Sequence, residues 1–214
     1  TPNDFGKMGK DPSHPELLDW LATDFRDNGQ SLKRLHRMIL TSATYQQSSA
    51  TNSDSAAKDS DNVYYWRMNR KKLEAEAIRD SVLKVSGKLD EAMFGPSFQD
   101  FVIEKPEHSP HYQYHLHNPE DAKSFRRAVY RFLVRSQQQP FMTTLDCADP
   151  SLLVDKRNES LSALQALVLL NNGFMLVQSK EFAKRLERDF PKQQQVENAF
   201  LNYSIGIFSK MKKK

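Results

Sequence analysis

Four of the chain's six histidines, His108, His111, His115 and His117, fall within ten residues, with Glu104 and Glu107 before them and Asp121 after. Neutral imidazole is a good ligand for Zn, Cu, Fe or Ni. Ligands three or four positions apart lie on one side of a helical turn. Such residue types at such spacing would make a metal centre. Pro110 opposes it, because proline breaks a helix running through His108 and His111. The spacing also differs from that of structural zinc sites. The residues alone favour a polar loop whose histidines cap, stack or titrate separately. A metal shared by His108, His111, His115 and His117 is the alternative.

A second group is Asp146-Cys147-Ala148-Asp149. Paired carboxylates could do acid–base work on a glycan. Three residues apart beside Pro150, they more often cap the next element. Flanking carboxylates disfavour a thiolate, so Cys147 reads as a small buried residue and not a nucleophile. Arg157 can fork onto Asp146 or Asp149 and pin the loop. With Asn158 and Glu159 it could instead form an anion or sugar site at the start of the following helix. A lone cysteine excludes a disulfide framework and cannot supply Cys-x-x-Cys-His, so this segment attaches no haem covalently. Haem c would belong elsewhere in a parent protein.

The elements that must position these groups read as helices. The chain has 214 residues and a formal charge of +4, matched by Lys210, Lys212, Lys213 and Lys214 alone. The body is therefore near neutral, and nucleic-acid binding is not expected. No run approaches the ~18 apolar residues of a membrane span. Pro15 opens a helix after Ser13 or His14, with Leu17, Leu18, Leu21 and Phe25 at helical spacing. Asn28-Gly29 ends it. Ser31 caps a second helix carrying Leu32, Leu35 and Ile39, which makes an αα-hairpin. Residues 46–62 are polar and read as a mobile surface loop. A third helix is predicted from Asp61 or Asn62 to Ser86, closed by Gly87. Residues 125–134 fit a helix better than a short strand, because no second strand is evident to pair with them. Residues 137–155 read as loop. Ser162 and Gln165 have the form of a capping box, and Asn171-Asn172-Gly173 should break the long apolar run that follows. A last amphipathic segment carries Val196, Phe200, Tyr203 and Ile207. The stripes need partners, so Leu17, Leu21, Leu35, Ile39, Leu164, Leu167 and Val168 are expected to be buried together, and Trp20 and Trp66 to be core.

Several segments together resemble one family. They are Thr1-Pro-Asn-Asp-Phe-Gly6 with His14-Pro-Glu-Leu-Leu-Asp-Trp-Leu21, and Ser31-Leu-Lys-Arg-Leu-His36 with Thr41-Ser-Ala-Thr-Tyr45. Further along come Arg70 with Leu73-Glu-Ala-Glu-Ala-Ile-Arg-Asp80, and Leu145-Asp-Cys-Ala-Asp-Pro150. Arg157-Asn158 leads into Leu164-Gln-Ala-Leu167 and Leu170-Asn171. In this order, from residue 1 to about residue 190, they resemble the planctomycete-specific C-terminal domain of unknown function. The resemblance implies a mostly helical module of a large extracytoplasmic protein, often one with a planctomycete cytochrome-c-type domain. It implies no activity. The family pattern usually begins further upstream, so the chain reads as a fragment, and the Lys-rich tail departs from the family's usual close.

The expectation is an all-α fold with long irregular loops, a helical domain over 1–190 and a possible short β element, with a C-terminal helix and tail over 191–214. The expected function is a non-catalytic scaffold or docking module whose partners are other domains of its parent protein. The alternative is a hydrolase or carbohydrate-processing domain using Asp146, Asp149, Arg157 and the histidines, with a glycan as its ligand.

Overall fold

A computed structural model describes residues 4, 6–104, 109–154 and 156–190. The expected segment at 196–207 lies outside the described residues, as does His108. The chain divides into two compact units, Thr1–Lys72 and Leu73–Lys214.

The first unit holds α1 (Pro15–Asp27), α2 (Leu32–Thr41) and α3 (Ser53–Lys58). Pro15 takes the first turn of α1, where its missing N–H costs nothing. Ser31 caps α2 by accepting from the Arg34 N–H. Arg34 of α2 reaches back to Asp24 of α1 and joins the two helices. The 46–62 stretch is not uniformly loop: Asn52 accepts from the Asp54 and Ser55 N–H groups and starts α3. A cap can start one helical turn even where apolar anchors are lacking.

The second unit begins with α4 (Ala75–Ser86). It starts about thirteen residues later than the sequence predicts. Asn62 explains the delay: its side chain bonds the Arg67 carbonyl and the Asn69 side chain, and holds the backbone in turns. Gly87 closes α4 in the left-handed conformation at φ 79°, as expected. Two short antiparallel strands follow, β1 (Val102–Glu104) and β2 (His111–Gln113), in the register Ile103 opposite Tyr112. Residues 125–134 form no α-helix. They make 3-10 turns whose backbone bridges Asp90 and Phe98, so the β-rich residues pair with loop segments and not with a second strand. Within the expected 137–155 loop, Gln139 caps α5 (Pro140–Thr144).

α6 (Ala163–Asn171) and α7 (Gly173–Asp189) are separated where Asn171-Asn172-Gly173 predicts a break. The core collects Ala75 of α4, Phe141 and Met142 of α5, and Leu145, with Ile78, Val168, Leu169, Phe174 and Met175 against them. Of the residues predicted to be buried, Leu17, Ile39, Leu164 and Leu167 are exposed, and Leu21, Leu35 and Val168 are half-buried. Leu164 is 68 % exposed, Leu167 54 % and Trp20 56 %. Of the three predicted α6 residues only Val168 packs against the core, on a face it shares with Gln165 and Leu169.

Candidate functional site

α4 organises the polar interior of the second unit. Glu76, Arg79 and Asp80 stand at i, i+3 and i+4, which places them along one side of the helix. Arg79 is buried. Its guanidinium donates to the Ser124 carbonyl and, at 2.9 Å, to the Arg126 carbonyl, and it lies 4.9 Å from the Phe98 ring centre. Burial lowers its pKa, opposed by Asp80 and Asp100. A guanidinium keeps its proton regardless, so a positive charge sits in the core. Asp80 accepts from the Ala128 N–H at 2.7 Å and faces Arg127 at 3.9 Å. Burial still holds its carboxyl above the usual range. These bonds fasten the 122–130 turns to α4.

One turn earlier, Glu76 receives Arg157 at 3.1 Å and the Cys147 thiol at 3.4 Å. Burial pushes the Glu76 carboxyl up. Its own backbone N–H, Arg157 and the thiol outweigh that and hold it below its ordinary value. Burial raises the Cys147 thiol, and the Glu76 charge raises it further. A thiol held protonated donates a hydrogen bond and is a poor nucleophile, which agrees with the sequence reading, although Glu76 and not Asp146 or Asp149 supplies the charge.

Arg157 does not fork onto Asp146 or Asp149. Those carboxylates are held by local N–H and hydroxyl groups, which leaves Arg157 to reach α4. Asp146, at φ 65°, accepts from the Ser160 N–H and hydroxyl, both at 2.9 Å. It also accepts from Gln165 at 3.1 Å. The Ser162 hydroxyl does accept from the Gln165 N–H, but the Gln165 side chain is diverted to Asp146 and Ser160, so only half of the capping box forms. Asp149 accepts from the Ser151 hydroxyl and N–H, and that bonding lowers its pKa.

The histidines are spread over different elements. His111 lies on β2 opposite Glu104, His115 in a 3-10 turn, and His117 just beyond it. Glu104 receives Gln113 at 2.9 Å, and Asp121 caps the turn at Ala122 through the Lys123 N–H. Among the described residues no three His, Cys, Asp or Glu side chains lie together so as to hold a metal ion. No helix among them is long and apolar enough to cross a membrane.

A second buried pair is Asp100 with Arg131, 3.9 Å apart. Burial raises the Asp100 carboxyl, with Arg131 and Arg79 opposing. Arg131 and Cys147 both line a small cleft with Gln138, Gln139, Met142 and Pro150. Sequence reasoning singled out Cys147 and Arg157 but missed Glu76, Arg79, Asp80, Asp100 and Arg131. The available signal was three charges at i, i+3 and i+4 beside the apolar Ile78 and Val82.

The family model of PSD1, a protein of unknown function (DUF1553), matches residues 1–205. The chain belongs to the PSD1 family. No curated protein and no solved structure matches it. In this PSD1 chain the described residues combine a charged interior tied by α4 with a small cleft beside α5 and a larger, mostly apolar cavity of about 170 Å³ between α4 and α7.

Proposed function

We propose that the chain is a non-catalytic docking module of a larger extracytoplasmic protein, its partners being other domains of that protein. The resemblance to the planctomycete-specific domain, and through it to proteins with cytochrome-c-type domains, supports the setting. One observation carries the docking role. The leucines of α6 and its approach, Leu161, Leu164, Leu167 and Leu170, form an exposed apolar stripe. Contiguous apolar surface of this kind marks an interaction face. Asp146, Asp149 and Arg157 serve in this reading as loop pins, because each is engaged by groups of its own chain and not turned toward a shared cleft. No metal or haem takes part in the module.

Thiol reactivity tests the proposal. A Leu167→Cys, Cys147→Ser chain should react with a maleimide at the rate of a free thiol. The same substitutions in the longer natural polypeptide should slow that reaction at least roughly ten-fold, as a covered site does. Equal rates in both would overturn the docking role. Stoichiometric zinc that survives dialysis and is lost on His115→Ala would overturn its metal-free part.

A further inference from the structure

We propose that the cavity between α4 and α7 binds a small apolar carbonyl compound, about one ring in size, whose oxygen accepts from the Gln178 side chain. The seam between the two helices frames it. α4 supplies Ile78, Ser81, Val82 and Val85, and α7 supplies Met175, Gln178, Ser179 and Phe182. Each set stands at i, i+3, i+4 and i+7, the spacing of one helix face. Two such faces ordinarily interdigitate, because protein interiors are packed as densely as organic crystals. Here they leave about 170 Å³ between them.

Volume and lining narrow the ligand. A cavity of about 150 Å³ walled by Leu, Ile and Phe accommodates benzene. The space between α4 and α7 therefore has room for one six-membered ring bearing a carbonyl oxygen. None of the described lining residues is charged, and six of the nine are apolar. A charged ligand would lose its hydration there with nothing to replace it. An apolar body gains contacts that the open space denies the lining.

Gln178 sets the polar end. It is 1 % exposed. Its carbonyl oxygen accepts from the Ser86 hydroxyl at 2.8 Å. Its Nε2 is covered from solvent and has no hydrogen-bond partner among the described residues. A buried N–H without an acceptor costs free energy that a partner recovers. The unpaired donor belongs to a residue of the cavity wall, so a ligand oxygen is the acceptor that this wall lacks.

Cyclohexanone and methylenecyclohexane share a shape, and only the ketone has an acceptor. Each, titrated into the full chain, should move the methyl resonances of Ile78, Val82 and Val85 saturably. Gln178→Met should weaken the ketone about ten-fold relative to the hydrocarbon. That buried substitution can also unfold the chain, so two further readings avoid it. The carbonyl carbon resonance of bound cyclohexanone should stay near its position in water and not move to its position in an alkane. Ser179→Trp, at an exposed position of the wall, should abolish saturation by both compounds. An alkane-like carbonyl resonance, equal losses of the two compounds in Gln178→Met, or unchanged binding in Ser179→Trp would each overturn the proposal. So would the absence of saturation with the ketone, whether or not the hydrocarbon binds. In the ligand-free chain, contacts from Phe200 to Val82 would give the cavity to the chain's own later segment. Methyl shifts that change on dilution would give it to a second copy. Either result would overturn the proposal as well.

Discussion

At the residue scale the buried charges of α4 matter most. Removing the Arg79 head leaves the Ser124 and Arg126 carbonyls without their donor and leaves Asp80 and Asp100 less compensated. Breaking a buried ionic arrangement from one side costs about 3–5 kcal/mol. Arg79→Leu should lower the urea midpoint by that measure, and a loss below about 1 kcal/mol would show that the guanidinium is replaceable by apolar packing. Two carboxylates shift in opposite directions and so depend oppositely on pH. Glu76 is held below its ordinary 4.5, so its contribution is present above that value and is lost as pH falls through the folded pKa. Asp100 is raised above 3.8, so its contribution is complete below that value and is lost as pH rises through the folded pKa. Urea midpoints of Glu76→Gln and Asp100→Asn should therefore diverge. Between acid and neutral pH the wild type should gain on Glu76→Gln and lose on Asp100→Asn. Parallel pH profiles for the two variants would contradict this.

At the element scale the two faces of α6 differ in energy. Leu167 is half exposed, so Leu167→Ala removes little buried surface and should cost under about 1 kcal/mol in the isolated chain. Met142 of α5 is 1 % exposed within the core, and Met142→Ala should cost about 2–5 kcal/mol. Equilibrium unfolding of both variants under one condition makes the comparison. A larger loss for Leu167 would reverse the assignment of faces. The pattern of α6 explains why sequence reasoning placed Leu164 and Leu167 on the buried side with Val168. The helix is apolar nearly all round, with Leu164, Leu167, Val168, Leu169 and Leu170 close together. Periodicity identifies a buried face only when the other face is polar. Gln165, the most buried residue of α6, is polar and is held by Asp146 and Ser160.

At the scale of the whole molecule, the chain divides between Lys72 and Leu73, just after the basic run Arg70-Lys71-Lys72. α4 begins only at Ala75, so that run lies in irregular backbone. Limited trypsin digestion should cut there before cutting inside α4 or α7, since helical backbone must open locally before a protease can take it. Mass analysis of the first fragments checks this. An initial cut after Lys58 would instead show α3 to be the weakest point of the chain.

The sequence by itself determined what acts within one helical turn. Ser31 and Ser162 cap the helices they precede, Pro15 opens α1, Gly87 closes α4, and Asn172-Gly173 separates α6 from α7. The mostly helical class followed from these signals, because a cap and the N–H it satisfies are near neighbours in the chain. The family motifs carried the same order. Partnership was decided only by the tertiary structure. Glu76 meets Arg157 across 81 positions, and Asp80 meets Ala128 across 48. Arg157 had nearer carboxylates in Asp146 and Asp149, but Ser160, Gln165 and Ser151 occupy them in the folded chain. The choice among acceptors, and the choice of which apolar face to bury, depends on which surfaces meet in three dimensions. Local spacing carries no record of that, because the free energy of burial belongs to the pair of surfaces and not to either one alone.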